Sequence, residues 1–322
     1  MLKLVVMPPV DDLKRRWADR LQQSLSQYRI VTADDDEAAA RREIADADAV
    51  FGWVPPAVLP LAGKLRWLHS PQIAPPADFY YRELMEHPVV VTNPRGTFND
   101  HIAQHIMMYV LSLARGLSDY MQAQRQRRWD PDARQNRYSD LATSTALIVG
   151  VGGIGQETAG LFAAFGTRVI GVDARWEHEV SSVEKHQPEE LDALLPQADF
   201  VIVTVPHTPE TEGMWHRARF QLMKPTAYFI NIGRGLTTKL DDLVAAIEEE
   251  EIAGCGLDVF ELEPLPQDHK LWALPNVLLT PHVAAHDADN IPERQFEILL
   301  DNARRFAADK PLRNTVDKSV WY

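Results

Sequence analysis

The 322-residue chain is 45% hydrophobic and 25% charged, with a formal net charge of −13, which excludes disordered and collagen-like classes and leaves room for about two domains. The acidic balance disfavours a nucleic-acid partner, since such binders gain affinity from basic surface. One cysteine, Cys255, allows no internal disulfide or multi-thiolate metal site and points to the cytoplasm, and no apolar run nears the ~18 to 20 residues of a membrane span.

In chain order, Leu2 to Val6 reads as a buried strand, and Leu13, Trp17, Leu21 and Leu25 then recur at helical spacing. Short apolar runs return at Arg29 to Val31, Ala49 to Phe51, Leu65 to Leu68 and Val89 to Val91, separated by helix-like stretches rich in Ala, Glu and Arg. That alternation predicts a small parallel α/β domain. Asn99 suits the cap of a long helix through Arg115, with Ile102, Ile106, Tyr109, Val110 and Leu113 as its apolar stripe. Residues 119–142 are polar and arginine-rich and lack core periodicity, so an excursion or arm is expected. A second alternation runs through Leu147 to Val149, Val169 to Val172, Phe200 to Val205, Tyr228 to Ile232, Ala253 to Val259 and Val277 to Thr280. It predicts a larger doubly wound sheet, followed by a helix over Asn290 to Ala308.

Gly150-Val151-Gly152-Gly153-Ile154-Gly155 follows the first strand of this second sheet and opens a helix-like segment. The first glycine permits a tight turn, the second lets backbone approach a pyrophosphate, and the third lets helix and strand pack closely. Asp173 ends the next strand about 20 residues on, where a carboxylate accepts ribose hydroxyls and repels a 2′-phosphate. Together they predict dinucleotide binding, with NAD preferred to NADP. Arg175 nearby leaves the second preference open.

Three polar residues come after later strands: Arg234 between glycines, Glu263 before Pro264, and His282 after Pro281. Taken singly, each has an ordinary structural use. Together with Ile148 to Gly155, Thr204-Val205-Pro206 with Thr208 to Thr211, Asn231 to Gly235, Gly256 to Phe260, Glu263 to Pro266 and Asn276 to His282, they resemble the D-isomer-specific 2-hydroxyacid dehydrogenase family over nearly the whole chain.

The resemblance implies two doubly wound parallel-sheet α/β domains. A Rossmann cofactor domain, residues 100–285, is inserted into a smaller flavodoxin-like substrate domain, residues 1–99 and 286–322. It implies that Arg234 clamps a substrate carboxylate, that Glu263 supports the histidine and that His282 exchanges the proton. Asp258 would face the nicotinamide, and Thr204, Pro206 and Ile232 would line the cofactor cleft. Main-chain donors at Ile73 and Ala74 would hold the carboxylate, in a loop whose Pro75 and Pro76 have no N–H to give. The arm, with Trp129 and Tyr138, would join two subunits in a homodimer.

No metal is expected. His101 and His105 lie on the linker helix, where a structural role outweighs metal binding and where Gln104 replaces the family's Glu, and Trp272 suits either a pocket wall or a core. The expected partner is a small 2-hydroxy or 2-oxo acid, with no nucleic acid or membrane. Two alternatives stay open at this point: an NAD-responsive binding protein like the co-repressors that resemble this family, and a formate- or phosphite-type dehydrogenase.

Overall fold

A computed structural model describes residues 1–34, 37–73, 77–133, 138–176, 180–286 and 289–318. The chain forms two compact units, Met1–Thr97 with Asp289–Tyr322, and Phe98–Ala288. The first contains β1 (Leu2–Val6), α1 (Asp12–Ser24), β2 (Tyr28–Thr32), α2 (Glu37–Ile44), β3 (Ala49–Phe51), β4 (Trp67–His69), α3 (Arg82–Glu86) and β5 (Val90–Thr92). Its strands pair in parallel in the order β2-β1-β3-β4-β5.

The second unit contains α4 (Asn99–Arg115), α5 (Leu117–Arg125), β6 (Thr145–Val149), α6 (Gly153–Ala164), β7 (Arg168–Val172), β8 (Glu184–His186), α7 (Leu191–Leu194), β9 (Phe200–Val203), α8 (Arg217–Phe220), β10 (Tyr228–Asn231), α9 (Leu240–Glu248), β11 (Gly254–Leu257) and β12 (Val277–Leu279). The sheet runs β12-β11-β10-β9-β6-β7-β8, all parallel. Its order reverses between β6 and β9, which is where doubly wound sheets open a ligand crevice.

Both sheets are covered on two faces, as parallel sheets require. Leu4 and Val6 join one cluster of the first unit while Val5 and Met7 join another. In the second unit Leu147 and Val149 face one core, and Ala146 and Ile148 the other. Helix α4 belongs to that second core through Ile106, Tyr109, Val110 and Leu113. The last helix, α10 (Ile291–Ala307), returns to the first unit, where Phe296, Leu299 and Ala303 pack with Leu4, Trp17 and Leu21. The Tyr28 hydroxyl donates to the Ala303 carbonyl at 2.8 Å.

Several expected boundaries move. Leu65 closes a turn onto the Ala62 carbonyl, so the fourth strand starts at Trp67 rather than Leu65. The expected arm over residues 119–142 begins within helix α5, with Ala123 buried. Strand β8 was not foreseen, because Glu-Lys-His at a sheet edge carries no apolar signature.

The α10 contact yields a test. Leu299 is fully buried, so Leu299→Ala should cost about 3 kcal/mol by loss of buried surface and residual cavity. Urea denaturation followed by tryptophan fluorescence measures it, since Trp17 lies 5.8 Å from Phe296 on the same helix. A loss below about 1 kcal/mol would contradict the packing.

Candidate active site

Six strands of the second unit deliver functional candidates just beyond their carboxyl ends: Gly150 after β6, Asp173 after β7, Thr204 after β9, Arg234 after β10, Asp258 after β11 and His282 after β12. The glycine turn is held by close approaches. Gly150 has φ +97°, and a Cβ there would press on Thr204 and Val205 at 3.0 Å. A Cβ on Gly155 would lie 2.2 Å from the Gly150 carbonyl oxygen, so helix α6 can approach the turn only through glycine. Gly152 differs: nothing lies within 4 Å of a Cβ built there. The α6 N-terminus has no side-chain cap, leaving amides and a positive helix end beside free space, as an anionic pyrophosphate requires.

Gly153 adjoins the Asn99 side chain, and Ile154 packs into the α4 core. The Thr204 hydroxyl donates to the Gly150 carbonyl at 2.5 Å, tying β9 to the turn across the order reversal. Thr211 donates to the Pro206 carbonyl at 2.7 Å, fixing the following loop. Pro206 is exposed, whereas Ile232 is buried. Asp173 accepts from the Val151 amide at 2.6 Å and from the Arg175 amide at 2.7 Å, one on each oxygen. Each oxygen keeps a further lone pair for a diol. The cradle therefore fits a dinucleotide.

At the other strand ends a histidine and a carboxylate pair. His282 Nδ1 meets Glu263 Oε2 at 2.7 Å, while Glu263 Oε1 accepts from the Phe260 amide at 3.0 Å. His282 sits at φ +55°, a left-handed conformation that costs a non-glycine residue about 1 kcal/mol or more. It is held there from both sides. Its amide donates to the Thr280 carbonyl, and Asp258 accepts from the Thr280 hydroxyl at 2.5 Å and the Val283 and Ala284 amides at 2.9 and 3.0 Å. Asp258 is 1% exposed. In this structure its oxygens serve the His282 turn, a use its position in the sequence did not reveal.

Arg234 is exposed and donates from Nη1 to the Gly233 carbonyl at 2.7 Å. Desolvation lowers the guanidinium pKa and the Glu263 charge opposes it; with solvent access retained, the group stays charged. Its turn is shaped by Asn231, fully buried, whose side chain accepts from the Gly233 amide at 2.9 Å and donates to the Thr238 hydroxyl at 3.0 Å. A Cβ on Gly235 would fall 1.8 Å from the Phe260 carbonyl oxygen. The Arg234 turn and the loop leading to Glu263 are thereby interlocked.

Ile73 lies in the first unit, its carbonyl accepting from Asn93 at 3.1 Å; Ala74, Pro75 and Pro76 lie outside the described residues. The strand before that loop ends in His69, which burial pushes down to about 3 and keeps neutral. Trp272 is exposed and donates to the Pro266 carbonyl. In the arm, Trp129 is 96% exposed, and the Tyr120 and Tyr138 hydroxyls meet at 2.9 Å. Among the described residues no group of three His, Cys, Asp or Glu is placed to hold a metal, and no helix is long and apolar enough to cross a membrane.

The family model "D-isomer specific 2-hydroxyacid dehydrogenase, NAD binding domain" matches residues 107–284. A glyoxylate reductase from Thermofilum pendens is 34% identical over 61% of this chain, and the match spans 59% of that relative's length. A glyoxylate/hydroxypyruvate reductase A from Serratia proteamaculans is 31% identical over 68% of each chain. Among solved structures, a D-isomer specific 2-hydroxyacid dehydrogenase from Xanthobacter autotrophicus Py2, in complex with NADPH and MES, superposes with TM-score 0.80 at 28% identity over 98% of both chains.

The two glycines make opposite predictions. Gly235→Ala should lower stability by about 1 to 3 kcal/mol through overpacking against Phe260, whereas Gly152→Ala should leave the melting temperature unchanged. Thermal denaturation of both variants decides; an unaffected Gly235→Ala would contradict the interlock.

Proposed function

The chain belongs to the D-isomer specific 2-hydroxyacid dehydrogenase family, and on that basis we propose that it is an NAD(H)-dependent oxidoreductase moving a hydride between nicotinamide and C2 of a 2-oxo or D-2-hydroxy acid. The observation that carries this reading is the 2.7 Å contact of His282 with Glu263, on the same sheet end as Arg234 and the glycine cradle. The cradle of Gly150, Gly152, Gly153, Ile154 and Gly155 would hold the pyrophosphate, Asp173 the ribose, and Thr204, Pro206, Ile232 and Asp258 the remainder. The bound cofactor supplies or accepts the hydride.

The protein's own residues handle charge and proton. The Arg234 guanidinium offers a planar fork to the substrate carboxylate. His282 has Nδ1 committed to Glu263, so Nε2 is the nitrogen that exchanges a proton with the C2 oxygen. In reduction the imidazolium donates to the developing alkoxide; in oxidation the neutral ring removes the hydroxyl proton. Glu263 favours the charged ring and fixes its orientation.

The unit formed by residues 1–97 and 289–322 is the proposed substrate domain. A short 2-oxo acid is the proposed substrate, in keeping with the glyoxylate and hydroxypyruvate named for the relatives. A cytoplasmic homodimer joined through the arm at Trp129 and Tyr138 completes the proposal. Asp173 supports NAD over NADP, although the Xanthobacter neighbour carries NADPH.

Purified protein mixed with NADH and glyoxylate, hydroxypyruvate or pyruvate should consume the nicotinamide absorbance; binding of NADH without turnover on any of them would favour a cofactor-responsive binding protein. Asp173→Ser should narrow the preference for NADH over NADPH by about tenfold, the scale of one charge-assisted hydrogen bond. A wild-type preference for NADPH would overturn the role of Asp173.

A further inference from the structure

Beneath the His282 turn lies a polar cluster in an otherwise apolar core. His105 Nε2, on α4, meets the Thr280 hydroxyl at 2.9 Å. The Tyr109 hydroxyl, one helical turn on, also meets Thr280 and lies 2.9 Å from the Leu257 carbonyl. Its ring stands edge-on to His105 at 5.0 Å. The His105 side chain is 15% exposed, and the Asp258 carboxylate beyond Thr280 is 2% exposed.

Proton counting fixes the direction of these bonds. Thr280 has one hydroxyl proton, and the acceptor-only Asp258 carboxylate at 2.5 Å takes it. Thr280 must therefore accept from His105, which makes His105 an Nε2–H tautomer. Burial lowers the His105 pKa against the raising effect of Asp258, in keeping with a neutral ring. The bonds then run one way: His105 donates to Thr280, Thr280 donates to Asp258, and Asp258 also gathers the amides of Val283 and Ala284.

We infer that His105 is a positioning residue for the reaction: by donating to Thr280 it orients the hydroxyl toward Asp258 and holds the left-handed turn that aims His282. It touches neither substrate nor cofactor in this role. An apolar residue at 105 would leave the Thr280 oxygen one donor short, with Tyr109 still beside it, and so let the hydroxyl turn away from Asp258, loosening one side of the clamp. Among the described residues His105 is the only histidine of α4 with a hydrogen bond to the Thr280 hydroxyl. The catalytic consequence rests on the proposed dehydrogenase reading; the structural one does not.

The test uses full-length wild type, His105→Leu, His105→Gln and Thr280→Val. With NADH and glyoxylate, His105→Leu and Thr280→Val should each lower kcat by about tenfold, the size of a lost buried hydrogen bond to a charged network. Their double variant should be no worse than the poorer single one, NADH affinity by fluorescence titration should hold within about twofold, a small fraction of that tenfold, and His105→Gln, whose amide can still donate to Thr280, should restore most of the rate. Unchanged kcat in His105→Leu, additive losses in the double variant, or a loss confined to NADH affinity would overturn the inference.

An activity-independent reading accompanies it. In histidine-labelled protein, long-range proton–nitrogen spectra, assigned with His105→Gln and His282→Gln, should show His105 as the Nε2–H tautomer and should show the His282 ring signals move in His105→Leu. Static His282 signals, or an Nδ1–H tautomer at His105, would overturn the inference whether or not the protein turns over. Absence of turnover in wild type with those signals as expected would instead count against the dehydrogenase reading.

Discussion

A nearly inaccessible carboxylate, Asp258, holds the chain in a conformation it would not choose. By accepting from Thr280 before the turn and from Val283 and Ala284 after it, it stabilises His282 at positive φ. A histidine in extended backbone would point elsewhere, and Glu263, carried by another loop, would have no partner. The hydrogen bonds offset the local strain, so the geometry of the His282–Glu263 pair is set by groups outside the pair. A buried carboxylate of this kind needs hydrogen-bond donors, and here three protein donors reach its two oxygens, two on Oδ1 and one on Oδ2.

The same economy of space recurs along the sheet edge. Glycines at 150, 155, 233 and 235 lie against carbonyl or amide groups of neighbouring turns at distances no Cβ tolerates without movement. The strand ends thereby pack into one another, so Arg234 and Glu263 are set by shared backbone rather than by independent loops. Gly152 alone of the cradle faces open space, and that contrast marks where a ligand belongs better than the glycine count does.

Much of this was readable from residues. The glycine string, the acid at the end of the next strand, and the order of Arg234, Glu263 and His282 carry local chemistry, and the apolar runs give the parallel sheets because their strands are buried on both faces. What escaped had nonlocal or weak signals. β8 is polar and sits at an edge, and α5 has little apolar stripe. The additional use of Asp258, gathering Thr280, Val283 and Ala284, depends on partners more than twenty residues away. Thr280, Asn231 and His105 act through hydroxyl, amide and imidazole bonds that no periodicity announces; the one hint is a half-buried histidine beside the apolar stripe of α4.

The proposed reaction depends on the charge of Glu263 acting on His282, and the pH dependence of reduction in Glu263→Gln tests that dependence most directly. Reduction consumes the imidazolium, so its rate falls as pH rises and the ring loses its proton. Deleting the carboxylate charge while keeping side-chain volume removes stabilisation of the protonated ring. The alkaline limb for the variant should therefore move to lower pH than in wild type, and oxidation, which needs the neutral ring, should persist to lower pH. Deuterated NADH establishes that chemistry limits the rate, since product release would otherwise mask the shift. An alkaline limb at the same pH in both proteins, with the isotope effect present, would contradict the coupling and the role assigned to the pair.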